Sequence, residues 1–262
     1  MNTNTEEQRV TVAPGVRGAW LRPGGAWDGR VVLFLHGFAD DMDAVGGLTK
    51  RLAEELAGRG VASLRIDFRG EGDRARTDID STLDTRTEDT GLAYAFLAAQ
   101  PGVAMERVGV VGWSLGATTA IVVGARHPTW FRTMAVWASP TGDQWEALGG
   151  SEVGQRALRE GAATEEIPGW KRITTKRAFY ESFRGVDVDV ELGRYPGAFL
   201  SVRGSHDETV AREIEFLNRA PGLPRESVII GGMDHVFSVF EPESGRPARA
   251  VAVTAEWLLR TL

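Results

Sequence analysis

The stretch Val110–Ala120, VVGWSLGATTA, joins a valine-rich segment to small helix-forming residues through Gly112, Ser114 and Gly116. A serine that acts as a nucleophile must project from the carboxyl end of a strand, and a sharp strand-to-helix turn places it there. Glycine is needed two residues before and after the serine because a Cβ would collide with neighbouring backbone. The pattern predicts that Ser114 is a nucleophile; the alternative is a plain glycine-rich turn with an incidental serine.

Segments typical of buried strands alternate with segments of helical spacing along most of the chain. The strand segments are 31–35, 62–66, 107–111, 133–137, 198–202 and 227–230, and the helical segments are 44–59, 90–99, 115–126, 210–219 and 249–262. This alternation predicts an α/β fold with a mostly parallel central sheet and helices on both faces. Residues 8–12 and 16–21 are expected to add antiparallel edge strands.

Residues 140–196 interrupt this alternation. The segment mixes charged residues with aromatic ones such as Trp145 and Trp170, and it has no convincing strand pattern. A loop of this length without secondary structure is rare in a compact domain, so we predict an inserted helical cap. The core of the protein would then be formed by residues 1–139 and 197–262, and Trp145 is expected to contact substrate.

A nucleophilic serine needs a base to accept its proton. Of the four histidines, His235 follows a predicted strand, and ligands of α/β sheets bind at the carboxyl ends of strands. His235 is also last in the order serine, acid, histidine that is usual on such sheets. We therefore predict His235 as the base, with His206 as the alternative. His127 ends a helix and is expected to interact there.

The base in turn needs a carboxylate that orients its ring. Asp207 follows the predicted strand 198–202 and lies between the serine and the histidine in sequence, so it is the predicted acid. Its rivals are Asp143 and Asp234, the latter directly before His235. Each of these aspartates has the alternative role of capping a helix or a loop.

Acyl transfer also needs N–H groups that point at the developing oxyanion. The amide of Leu115, directly after the serine, is one expected donor. The other is expected from the loop after the strand 31–35, where Phe38 follows His36 and Gly37. We predict that His36, Gly37 and Trp113 contribute to substrate binding around these donors.

Composition excludes several classes of protein. The formal net charge of −6 disfavours nucleic acid as a partner, and the absence of cysteine excludes disulfides and thiolate chemistry. No metal-binding His-Glu-x-x-His pattern is present, so we expect neither a metal nor another cofactor. The first residues do not resemble a signal peptide and no apolar run has the length of a membrane span, which predicts a cytoplasmic protein. The oligomeric state stays open, a homodimer included.

Five segments, taken in order, resemble the α/β-hydrolase family over nearly the whole chain. They are LHGF (35–38), DFRGEGD (67–73), GWSLG (112–116), GSHD (204–207) and DHVF (234–237). The chain is most similar to short bacterial esterases of the feruloyl or cinnamoyl esterase type, which also carry a cap before the acid-bearing strand. The resemblance implies an α/β-hydrolase fold and a Ser114, Asp207, His235 triad.

These observations together predict a serine esterase that acts on small to medium carboxylic esters with an apolar acyl or aryl group. The same triad also serves thioester, amide, peptide or carbon–carbon bond hydrolysis, because selectivity depends on the pocket. A non-catalytic member of the fold that only binds a small molecule is the third reading. Turnover of model esters by the wild type and by Ser114→Ala tests the esterase prediction, and panels of thioesters, esters and aminoacyl anilides rank the bond types. Labelling of Ser114 by a fluorophosphonate would argue against a non-catalytic protein.

Overall fold

The computed structural model describes residues 5–167 and 171–262. Its strands are β1 (Glu6–Ala13), β2 (Val16–Arg22), β3 (Val31–Leu35), β4 (Ala62–Ile66), β5 (Asp78–Ile79), β6 (Val108–Trp113), β7 (Thr133–Trp137), β8 (Ala162–Glu166), β9 (Arg172–Lys176), β10 (Ala198–Gly204) and β11 (Arg225–Ile230). Its α-helices are α1 (Leu48–Gly58), α2 (Leu83–Ala98), α3 (Leu115–Arg126), α4 (Glu152–Glu160), α5 (Arg177–Glu181), α6 (Val188–Leu192), α7 (Glu213–Arg219) and α8 (Arg246–Thr261).

Eight strands form one sheet in the order β1-β2-β4-β3-β6-β7-β10-β11. The pairs from β4 to β11 are parallel, whereas β1 and β2 pair with their neighbours in antiparallel fashion at one edge. This arrangement confirms the predicted α/β fold, including the two antiparallel edge strands. The carboxyl ends of the parallel strands meet at one rim of the sheet, which is where such folds bind ligands.

The hydrophobic core is divided between the two faces of this sheet. Along β3 the side chains of Val31, Leu33 and Leu35 pack with α2 and α3, and those of Val32 and Phe34 pack with α1 and α8. Because side chains alternate along a strand, a sheet covered on both faces needs an unbroken apolar run. The sequence VVLFL meets this requirement, and all five of its residues are buried.

The described residues of the segment 140–196 include the helices α4, α5 and α6 and also the strands β8 and β9, whereas the sequence shows no convincing strand pattern there. Strands β8 and β9 pair in antiparallel fashion, and β9 pairs with β5 in a separate three-stranded sheet. Residues of α4, β8 and α5 pack on Leu83 and Leu115 in a further hydrophobic cluster, beside Phe38. Helix α6 instead packs in the main core, through Val188 and Leu192.

The boundaries of the insertion at residues 140 and 196 stay a prediction, and Trp170 lies outside the described residues. Within residues 5–167 and 171–262, the helices are all too short or too polar to cross a lipid bilayer.

Candidate active site

Ser114 occupies the turn between β6 and α3 in a backbone conformation that side-chain-bearing residues rarely adopt. Its φ is 51° and its ψ is −117°, and Ser114 N donates a hydrogen bond to Trp137 O at 2.8 Å. A Cβ on Gly112 would lie 2.4 Å from Gly116 O, and one on Gly116 would lie 2.0 Å from Leu35 O. Both glycines are therefore required by backbone contacts, and the turn stores strain of the kind found at functional sites.

His235 reaches the serine from the loop after β11. Its Nε2 lies 3.0 Å from Ser114 Oγ, and its side chain is half-exposed. Trp113 holds this loop in place, because its Nε1 donates to His235 O at 3.3 Å and its ring packs against that of Phe237. The carboxylate of Asp234 accepts a hydrogen bond from Ser238 N at 2.7 Å and so stabilises the turn that carries the imidazole.

Asp207 follows β10 and contacts the other nitrogen of the same imidazole. Its Oδ2 lies 2.8 Å from His235 Nδ1, and its Oδ1 accepts from Thr209 N at 2.9 Å and from Arg203 Nη1 at 3.1 Å. Burial by itself raises the pKa of Asp207, but the hydrogen bonds from His235 and Thr209 outweigh it and hold the pKa well below the usual range. Asp207 therefore stays ionised at neutral pH.

This geometry fixes the protonation pattern of the His235 ring. With Asp207 as a pure acceptor, Nδ1 carries the proton and donates it to the carboxylate, which leaves Nε2 as the acceptor for the Ser114 hydroxyl. Such an arrangement can remove a proton from the hydroxyl as its oxygen attacks an electrophile.

The two residues expected to supply the oxyanion amides are near Ser114: Leu115 follows it directly, and Phe38 lines the same cavities. Leu115 is the first residue of α3, so its N–H has no partner inside the helix. Among residues 5–167 and 171–262, Phe38 N donates no backbone hydrogen bond either. Gly37 approaches closely: a Cβ there would lie 3.7 Å from Ser114 Cβ. The role of the two amides stays a prediction.

Two cavities border Ser114, and Phe38 also lines both of them. The first has a volume of about 370 Å³ and borders His235; its other lining residues are Gly37, Asp40, Val45, Trp113, Ile167, Val236 and Phe240. The second has a volume of about 310 Å³ and lies under the insertion; its other lining residues are Leu115, Pro140, Gln144, Leu148, Ser151, Val153, Glu165, Phe179 and Tyr180. Predominantly apolar cavities of this size fit small organic molecules.

Two of the residues expected to bind substrate lie elsewhere. His36 is buried, with Nδ1 donating to Gly37 O at 2.7 Å and Nε2 accepting from Phe68 N at 3.2 Å, so it shapes the loop and does not line either cavity. The ring of Trp145 lies under the guanidinium of Arg184 at 3.7 Å and also lines neither cavity. Gly37 and Trp113, in contrast, line the first cavity. Substrate contact by these four residues stays a prediction.

The rival histidines and acids have other surroundings. The ring of His127 stacks on Trp130 at 3.8 Å, and Asp143 Oδ1 accepts from Glu146 N at 3.0 Å at the start of a helical turn. His206 is exposed and lines a surface pocket that does not include Ser114. None of these three groups is hydrogen-bonded to Ser114 or His235 in the described part of the chain.

Sequence reasoning missed the residues that support the carboxylate and line the cavities. Arg203 is fully buried and joins Asp207 to Glu213, yet a single arginine inside a strand carries no recognisable signal. Val236 could have been found, because it directly follows His235, but Ile167 comes from the unpredicted hairpin. In the described ranges, no group of three or more histidine or acidic residues is arranged to hold a metal ion.

A mostly parallel sheet with a serine in a strand-turn-helix at its carboxyl rim defines an α/β-hydrolase. A family model described as serine aminopeptidase, S33, matches residues 28–163, just over half of the chain. The chain therefore belongs to this family of hydrolases. No curated protein sequence matches the chain significantly.

Solved structures with the same fold cover nearly the whole chain. Est1E from Butyrivibrio proteoclasticus is 16% identical, with a TM-score of 0.75 and coverage of 97% of this chain and 98% of that one. A structure described as ferulic acid bound to Est1E gives 15% identity and a TM-score of 0.77 over the same shares. A dienelactone hydrolase from Anabaena variabilis is 19% identical, with a TM-score of 0.68 and coverage of 98% and 99%. At these identities the likeness establishes the fold.

Proposed function

We propose that the protein is a serine hydrolase that cleaves small to medium carboxylic esters through an acyl-enzyme intermediate. The observation that carries the proposal is the continuous set of contacts from Ser114 Oγ to His235 Nε2 and from His235 Nδ1 to Asp207 Oδ2. Two structures of the same fold that are described as esterases support it.

In the first half of the reaction Ser114 Oγ attacks the ester carbonyl carbon while His235 Nε2 takes the hydroxyl proton. The carbonyl oxygen becomes an oxyanion that the amides of Phe38 and Leu115 stabilise. His235 then gives its proton to the alkoxide oxygen as the C–O bond breaks, and the alcohol leaves. Water repeats these steps on the acyl-enzyme, with the same imidazole as base and acid, and releases the carboxylic acid.

The two cavities suggest which part of the ester lies on each side. The leaving oxygen must lie near His235 to receive its proton, and the first cavity borders His235, so we assign it to the alcohol. The second cavity borders Leu115 and not His235, so we assign it to the acyl group. The aliphatic and aromatic residues of both cavities favour an apolar acyl or aryl group.

The second candidate is hydrolysis of an amide, because the matching family model is described as a serine aminopeptidase. The same three side chains can serve amide bonds, since His235 would then protonate the leaving amine. Thioester and carbon–carbon bond hydrolysis stay open as predictions from the sequence, as do the cytoplasmic location and the oligomeric state.

The test is turnover of p-nitrophenyl butyrate and of aminoacyl p-nitroanilides by the wild type and by Ser114→Ala. We expect ester hydrolysis to exceed anilide hydrolysis, and Ser114→Ala to lose about 10⁴-fold or more in kcat. Ser63→Ala is the matched control: this buried serine on β4 has no hydrogen-bond partner among the described residues, so its removal should leave turnover unchanged. Equal ester turnover by wild type and Ser114→Ala would refute the proposal, and faster anilide turnover would favour the second candidate.

A further inference from the structure

An ion pair between Glu71 and Arg86 is buried behind the loop that carries Phe38. Glu71 is 6% exposed and Arg86 is 0% exposed, and the Arg86 guanidinium also lies over the ring of Phe68 at 3.8 Å. Removing two charges from water is costly, so a buried pair persists only where hydrogen bonds satisfy both partners. Neither residue touches the substrate cavities or takes part in the proton transfers described above.

The Glu71 carboxylate is bonded to the backbone directly after Phe38. Its Oε2 accepts from Ala39 N at 2.5 Å, and its Oε1 accepts from Ser81 Oγ at 2.5 Å and from Arg86. Burial raises the pKa of Glu71, but the positive charge of Arg86 and these hydrogen bonds outweigh it and lower the pKa. The ionised carboxylate therefore holds the backbone amide that directly follows Phe38.

Arg86 is bonded in three directions. Its guanidinium pairs with Glu71, its Nη2 donates to His36 O, and its Nε donates to Thr119 Oγ1 at 3.2 Å. His36 and Ala39 lie on the two sides of Phe38 in sequence, so the ion pair holds the loop on both flanks of the Phe38 amide. The planar guanidinium donates in fixed directions, which suits it to this role.

The third bond of Arg86 leads to the other expected oxyanion donor. Thr119 lies one turn into α3, and its Oγ1 donates to Leu115 O at 2.9 Å. Thr119 therefore accepts from Arg86 and donates to the carbonyl oxygen of Leu115, whose N–H is the other expected oxyanion donor. Through Thr119, one guanidinium from α2 connects the loop of Phe38 with the start of α3.

We propose that Glu71 and Arg86 are positioning residues that fix the Phe38 and Leu115 amides relative to each other. The inference rests on the proposed function, because it concerns the oxyanion of that reaction. Stabilisation of an oxyanion depends on donors that are already oriented before charge develops. The Phe38 loop is not part of a helix or strand, so its orientation depends on hydrogen bonds: those to the ion pair, and one from Lys171 Nζ to Ala39 O at 2.8 Å.

The experiment measures kcat and KM for p-nitrophenyl butyrate in Arg86→Met, in the charge-neutral double variant Glu71→Gln/Arg86→Met, and in Thr119→Val. We expect the Arg86 variants to lose about 10- to 100-fold in kcat with KM nearly unchanged, since donors that are displaced but not removed cost less than a lost donor. Thr119→Val, which preserves volume, should lose a smaller factor in kcat. This variant also decides the question if the buried-charge variants do not fold.

A second measurement separates positioning from a general loss of structure. Propyl trifluoromethyl ketone, the analogue of the butyryl group, forms a tetrahedral adduct on a reactive serine and places an oxyanion at the two amides, whereas butyrate is only the product. We expect affinity for the ketone to fall in proportion to kcat, while affinity for butyrate and the acid limb of the pH profile stay as in the wild type. Equal losses for ketone and butyrate, or unchanged kcat in folded variants, would overturn the inference.

Arg65→Met is the matched control, because Arg65 is also fully buried and its ion pairs go to Glu7 and Asp43. It should lose stability without the selective loss of ketone binding. If the wild type itself fails to hydrolyse esters, the proposed function fails; if the wild type is active and the variants match it, only the positioning role fails.

Discussion

Asp207 Oδ2 lies 2.8 Å from His235 Nδ1, and the carboxylate is buried while the imidazole is half-exposed. We expect Asp207→Asn to reduce kcat by about 10⁴-fold, because an amide in this place allows the ring to adopt the tautomer that cannot accept the serine proton. Steady-state kinetics with p-nitrophenyl butyrate measure the loss. Asp234→Asn is the control and should change kcat far less; a comparable loss in both variants would argue against the assigned acid.

The pH dependence of the rate should report one protonation on the acid side. The pKa of Asp207 is held well below its usual range. The ionised carboxylate therefore orients the imidazole at all pH values above that lowered pKa, and this orientation is lost only as the pH falls through it. Asp207 therefore adds no second protonation on the acid side, and log kcat/KM should fall there with a slope no steeper than one. A slope of two in the wild type would indicate that the carboxylate titrates in the same range.

Gly116→Ala should severely destabilise the protein, because its Cβ would lie 2.0 Å from Leu35 O and 2.6 Å from His36 O. Both contacts are with backbone, so relief requires movement of β3 or α3, and we expect a loss of about 3 kcal/mol or more in the free energy of unfolding. Gly58→Ala, at the exposed end of α1 with open space around it, should instead gain up to about 1 kcal/mol. Urea denaturation compares the two variants, and similar midpoints would contradict the close packing.

Filling the first cavity and filling the second should have opposite effects on substrate selectivity. Val236→Trp narrows the cavity beside His235 and should lower kcat/KM for esters of bulky alcohols, whereas Leu148→Trp should lower it for long acyl chains. Each change is expected to be about tenfold or more, as for a few methylene groups in an apolar pocket. A panel of esters that varies one side at a time provides the measurement. The opposite selectivity would reverse the assignment of acyl group and alcohol.

The central sheet could be predicted because short apolar runs such as VVLFL, which are typical of strands covered on both faces, alternate with segments of helical spacing. The hairpin β8–β9 could not, since AATEE and RITTK expose polar side chains and bury small or isolated ones such as Ala163 and Ile173. Helix α2 begins at Leu83 and not at Thr90. Its first turns are polar, so no apolar spacing predicts them, and the Thr82–Thr85 capping box stabilises this earlier start.

The residues of the site also divide into those that the sequence predicts and those that it does not. Ser114, Asp207 and His235 follow strands whose ends meet at one rim, so topology alone brings them together. The side chains that tune the site, such as Arg86, Arg203 and Ile167, come from a helix, a strand interior and the hairpin, where no sequence pattern marks them. The sequence does not show which tryptophan lines a cavity: Trp113 does, whereas Trp145 packs against Arg184.

Covalent labelling by a fluorophosphonate, located by mass spectrometry, tests the central proposal most directly, because only an activated serine reacts rapidly with this probe. The account predicts a single adduct on Ser114 in the wild type and labelling that is slowed strongly in His235→Ala. A folded wild-type protein that takes up no probe, or an adduct on Ser114 that forms equally fast without His235, would contradict it.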